Sequence, residues 1–209
     1  MNFLLLQLAD GSFPSGGFAH SAGLEAAVVL GRTDDIGAFL DASLRQTAHA
    51  AVPFVRAACV HPAVFARLDD TYDATLPMLG PNHASRAQGR ALLGAAGRIW
   101  ALPALQEAAR AGTAHHAPVF GAIFGTLGVA EDEAVAAWLH GTARSIVSAA
   151  VRLGVLGPLE AQRILADRAS LLEALLLTRH GVEDAAHTAP LIEMYGALHE
   201  RLDGRMFQS

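Results

Sequence analysis

Apolar residues recur along this chain at steps of three and four, the rhythm of a helix with one buried face. The clearest case is Leu139, Ala143, Ile146, Val147, Ala150 and Leu153, with His140, Arg144, Ser148 and Arg152 as a polar row at steps of four. Together they predict a helix from about Asp132 to Leu153, whose acidic first turn suits the helix dipole. Ile36, Phe39, Leu40 and Leu44 mark another helix face behind Asp34 or Asp35. A helix from Phe18 to Leu30 is expected to stop at Gly31. Pro53 restarts the chain, and "DDTYDATLPM" reads as a short helix closed by "GPN". Pro158 to Gly181 reads as one helix and Pro190 to Leu202 as the last. "FLLLQLA" at the start is a short apolar helix or an extended arm.

Two helical stretches carry unusual glycine: Gly89, Gly94 and Gly97, then Gly121, Gly125 and Gly128. Each glycine inside a helix costs up to about 1 kcal/mol against Ala, so small residues there point to close approach by a neighbouring helix. The second stretch should end at the glycine before Val129. No segment alternates as a strand does, and there is no Asn-Gly hairpin, internal repeat or linker. The pattern predicts an all-α fold: one domain over 1–209, a bundle of about eight to ten helices.

Composition narrows the chemistry. The 209 residues are 52% hydrophobic and 17% charged, with net charge -5 and an isoelectric point near 6.0. That balance argues against nucleic-acid binding through a basic surface. All fifteen basic residues are Arg. Without Lys, neither a Walker-type phosphate loop nor Schiff-base chemistry can be built. A lone Cys59 excludes an intrachain disulfide and reads as a small buried hydrophobe. "MNFLLLQLAD" has no basic residue before Arg32 and is broken at Gln7 and Asp10, unlike a signal peptide. No apolar run is long enough for a membrane span, and a cytoplasmic location is expected.

The ten histidines include no pair at i, i+3 or i, i+4, so no metal motif arises from one helix face. The stretch "LADGSFPSGGFAHSAGLE", residues 8 to 25, is glycine-rich but follows no strand, lacks the Lys of a phosphate loop and contains no G-x-S-x-G elbow. A tight turn would use one or two glycines. Four, with a proline and two phenylalanines, suit either a small packed unit or a protein-recognition loop anchored by Phe13 or Phe18. An all-helical enzyme with a site assembled from scattered histidines or a metal stays open as the alternative.

"LLQLADGSFPSGGFAHSAGLE" resembles the N-terminal signature of the UreF family of urease accessory proteins. "ASRAQGRALL" at 84–93 is similar to that family's Ser-Arg-x-x-Gly-Arg helix. "HAPVFGAIFGTLGV" at 116–129, "RSIVSAAVRLGVLGPLEAQRIL" at 144–165 and "HERLDGRMFQS" at 199–209 resemble its later blocks, in family order. Ser15, Ala22, Pro158 and Met206 depart from the usual residues. The resemblance implies an all-helical, homodimeric, non-enzymatic scaffold without a cofactor of its own. It would bind the UreD (or UreH) accessory protein and the GTPase UreG, and support nickel delivery to apo-urease. It implies partner-binding roles for Gly16, Gly17, Phe18, His20, Ser21 and Glu25 at the N-terminus. Arg86 and Arg90 match in the middle, and His199, Glu200, Arg205, Phe207 and Ser209 at the end. Phe18 would lie on the surface that meets the GTPase, and the tail "RMFQS" would order on binding, since free chain ends fray.

Overall fold

The computed structural model describes residues 3–15, 17–33, 35–111 and 114–208, without the side chains of Phe18 and Ala111. Among these residues the chain is all-helical, with no strand. Helix α1 (Phe3–Ala9) leads through a loop with a 3-10 turn at Gly17–Ala19 into α2 (Leu24–Val29). Helices α3 (Ile36–Ala50), α4 (Val52–Val60), α5 (Phe65–Thr75), α6 (Leu79–Ile99) and α7 (Pro103–Ala111) follow. Then come α8 (His116–Thr126), α9 (Glu131–Arg152), α10 (Pro158–Asp167), α11 (Ala169–Leu176) and α12 (Pro190–His199).

Helix α8 is apolar all round, and the fold wraps it accordingly. Ala117 to Phe124 are all buried, and α4, α6, α5 and α9 pack around it. The expected close approach is real at α4: Gly121 and Gly125 face the carbonyls of Val55 and Cys59, where a Cβ would collide with backbone. Cys59 is buried there, and burial first, then the Glu131 charge, pushes its thiol up to about 11. It packs as a small hydrophobe. Helix α9 turns the predicted stripe inward, with Leu139, Ala143, Ile146, Val147 and Ala150 buried.

The class agrees with the sequence, but the count does not: twelve α-helices lie among the described residues, not eight to ten. Three local causes split the longer segments. First, α2 starts only at Leu24, because Ala22 and Gly23 both adopt positive φ (54° and 84°) and block helix upstream. Second, Gly80-Pro81-Asn82 opens α6 rather than closing α5, since proline lacks only an N–H that a first turn leaves unused. The Asn82 side chain ties the two helices by donating to Asp73 Oδ1 (2.9 Å) and to the Leu76 carbonyl (3.1 Å). Third, the segment from Pro158 breaks at Arg168, which leaves helical geometry (φ −98°, ψ 5°) and is held by Asp41 of α3 at 3.0 Å. No helix among the described residues is long and apolar enough to cross a membrane.

Candidate functional site

The glycine-rich loop is a packed unit. Asp10 receives both the N–H and the hydroxyl of Ser12 (2.6 and 2.7 Å), and the Phe13 N–H returns to the Asp10 carbonyl. Phe13 is buried and stacks on Trp100 with ring centroids 6.0 Å apart. Further on, Gly23 sits against Tyr195 and Gly196 of α12, where its positive φ and missing side chain are both used. The buried Ser21 hydroxyl accepts the Glu25 N–H at 3.4 Å.

Glu25 is the centre of the site. It is 4% exposed, yet its carboxylate is fully engaged. Oε2 lies 2.6 Å from His199 Nε2 and accepts the Phe207 N–H at 3.1 Å, while Oε1 accepts the Met206 N–H at 2.6 Å. Burial alone would raise its pKa; the Met206 N–H, then His199 and the Phe207 N–H outweigh burial and hold it below the usual carboxylate range. The Gln208 N–H donates to the Ala19 carbonyl at 2.7 Å, and Phe207 is buried beneath the Arg152 guanidinium, 4.2 Å from the ring centroid. The C-terminal segment through Gln208 is therefore seated on the N-terminal signature in the isolated chain. The expectation that this tail orders only on binding is corrected: a buried carboxylate supplies acceptors for its backbone donors.

His20 and His116 are uncharged at neutral pH. His20 is buried, and burial first, then the His199 charge, lowers its pKa to about 4. His116 falls to about 3 through burial and then His20. His199 is fully buried, and its Nδ1 has no hydrogen-bond partner among the described residues. Among the described residues no group of three or more His, Cys, Asp or Glu is placed to hold a metal.

Other sequence-predicted residues fall elsewhere. Glu200 and Arg205 are exposed, and Glu200 lies along Gly80. Gly17 is half-buried in the 3-10 turn. Gly16, Ser209 and the Phe18 side chain lie outside the described residues. Arg86 belongs to a second cluster, where it pairs with Asp73. The same carboxylate accepts from Asn82 and lies 2.8 Å from His115 Nε2. These bonds, Asn82 first, hold Asp73 well below the ordinary carboxylate range. His115 is fully buried, with Nδ1 3.0 Å from Ser85 Oγ, and that hydroxyl accepts the His116 N–H that opens α8. Asp69 accepts the N–H groups of Ala114 and His115, both at 2.7 Å. Gly89 leaves room for the Ala114 carbonyl. The Ser-Arg-x-x-Gly stretch thus fastens α6 to the start of α8, while Arg90 is exposed. Asp69, Asp73 and His115 were not singled out by the sequence; no spacing rule joins residues on α5 to a loop some forty positions later.

Known relatives match nearly the whole chain. Residues 31–169 match the sequence model of the UreF family. The chain is 34% identical to Urease accessory protein F of Oryza sativa subsp. indica, over 96% of this chain and 82% of the relative. It is 34% identical to the Arabidopsis thaliana protein of the same name, over 97% and 90%. It is 32% identical to Urease accessory protein UreF of Trichodesmium erythraeum, over 97% and 94%.

Proposed function

This chain belongs to the UreF family of urease accessory proteins, and on that basis we propose that it is a non-catalytic scaffold in urease maturation. In this reading it forms a homodimer in the cytoplasm and binds the UreD/UreH-type accessory protein and the UreG-type GTPase. It supports nickel delivery to apo-urease and regulates the GTPase. The observation that carries the reading is the likeness to urease accessory proteins over 97% of the chain.

The geometry divides the partner-binding residues into two roles. Arg90, Glu200 and Arg205 are exposed and are assigned to partner contact, together with Phe18 by its place in the family signature. Ser21, Glu25, His199 and Phe207 are buried, so they act by holding the two chain ends in one surface, with His20 and Gly17 shaping the loop between them. Arg86 acts through the α5–α6–α8 cluster. Gly16 and Ser209 flank this surface in sequence and are assigned to it on the resemblance alone.

The test is co-expression with the cognate UreD-type protein, followed by size-exclusion chromatography. The reading predicts one complex at micromolar concentration; separate elution contradicts it.

A further inference from the structure

A cavity of about 700 Å³ lies beneath the N-terminal loop. That size is typical of sites that take a small organic molecule. Its wall is mainly apolar, with Leu92, Phe120, Trp138 and Ile192 among the lining side chains. Polar side chains also line it, the charged ones being Asp10, Arg144, Arg152 and Glu193. At the far end, Glu193 is already engaged by Gln46 and by His187 Nδ1 at 2.8 Å. Under the loop, one charged group makes no hydrogen bond within the described residues.

That group is Arg144 of α9. Its guanidinium lies against Gly11 and lines the cavity, half-buried, and it makes no hydrogen bond or ion pair within the described residues. The carboxylate it acts on is that of Asp10, which is exposed and already accepts the N–H and the hydroxyl of Ser12. Ser145 and Ser148, on the same helix, add hydroxyls to the same wall. The neighbouring Arg152 is committed to the Phe207 ring. A guanidinium taken partly out of water without a partner is costly, and its five N–H donors form a planar fork matched to a carboxylate. With Asp10 exposed and saturated by Ser12, the Arg144 fork has room for one further carboxylate; a dianion in this apolar space would leave charge uncompensated.

We propose that this cavity binds a small amphipathic monocarboxylate, its carboxylate on Arg144 and its apolar body against Trp138, Phe120 and Leu92. The cavity shares Gly17, His20 and Phe207 with the loop and tail beneath the surface assigned above to protein partners, but none of the exposed residues Arg90, Glu200 and Arg205, and the proposal does not rest on their assignment.

Both tryptophans of the chain report on it: Trp138 lines the cavity, and Trp100 stacks on Phe13 of the roofing loop. The full-length protein is titrated with decanoate and, separately, with decanol, following tryptophan fluorescence and calorimetric heat. Decanoate is expected to saturate below about 1 mM. In Arg144→Gln, decanoate should bind at least about tenfold more weakly while decanol is unchanged, as expected on losing a charge-assisted fork. Arg144→Lys should restore part of the loss and guards against a folding defect in the Gln variant. Failure of decanoate to saturate, equal binding of decanoate to wild type and Arg144→Gln, or equal affinity for acid and alcohol would each overturn the proposal.

Discussion

Glu25 and His199 stand 174 positions apart in the chain and 2.6 Å apart in the fold, both buried, and they bring the two ends of the protein together. Removing the carboxylate leaves the Met206 and Phe207 N–H groups and the His199 ring without their acceptor. Glu25→Ala is expected to cost about 3 kcal/mol, in line with leaving buried hydrogen-bond donors without an acceptor. Amide hydrogen exchange at Met206, Phe207 and Gln208 should accelerate far more than in α8, while far-UV circular dichroism stays helical. Unchanged protection at those three amides would show that the tail is held by other contacts.

Acid should weaken the fold before any carboxylate titrates. His20 and His116 have folded pKa values of about 4 and about 3, against an ordinary 6.5. Below pH 6.5 the unfolded chain takes up protons that the folded chain refuses, so stability falls as pH falls. Each histidine contributes a slope approaching about 1.4 kcal/mol per pH unit until its folded pKa is reached. Glu25, with its lowered pKa, adds stability that is lost only below its ordinary 4.5. His187 acts in another window. Its hydrogen bond to Glu193 raises its pKa, so its contribution is complete below 6.5 and fades as pH climbs through the raised value. Urea denaturation at pH 7, 6 and 5 checks this, and His116→Phe should flatten the dependence. A flat profile in the wild type would mean that neither ring is shielded from water as described.

Two glycines of similar sequence context should respond oppositely to alanine. Gly94 has open space where a Cβ would stand, with nothing within 4 Å, and Gly94→Ala should stabilise α6 by up to about 1 kcal/mol through helix propensity. Gly125 meets the Cys59 carbonyl, and Gly125→Ala should destabilise by more than that gain, because α4 and α8 must separate. Thermal melts of the two variants give the comparison directly.

The helices were legible in the sequence because one-sided burial imposes a period that survives in a single chain. The stops at Gly31 and Gly128 were legible too, and both residues do adopt positive φ. The breaks at Arg168 and before Leu24 were not. One depends on a tether to Asp41 from a distant helix, and the other on two successive left-handed residues of which one is an alanine. The expected glycine contacts are present at Gly89, Gly97, Gly121 and Gly125 and absent at Gly94 and Gly128, since periodicity marks a face without saying what covers it. For the site, the sequence singled out Glu25, His199 and Phe207 individually. That they meet was hidden, because pairing over such a separation has no local signature, and composition treats a buried Glu like an exposed one.

Arg86 and Arg205 are both basic residues of family-like blocks, and they should fail differently. Arg86 is half-buried on Asp73, so Arg86→Ala should lower stability by about 1 kcal/mol, the upper range for a partly exposed pair. Arg205 is exposed. Arg205→Ala should leave the melting temperature within error of wild type while weakening capture of the UreG-type GTPase by the co-purified complex. Loss of helical signal in Arg205→Ala would make it a structural residue.

A role in urease maturation, exerted through a surface built from both chain ends, makes a demand on the living cell. The gene is deleted in its urease-producing host at ordinary nickel levels, and urease activity is measured after complementation with wild type, Arg205→Ala or Gly94→Ala. Activity should be lost on deletion, restored by wild type and by Gly94→Ala, and restored poorly by Arg205→Ala at equal protein level; full urease activity in the deletion strain would contradict that role.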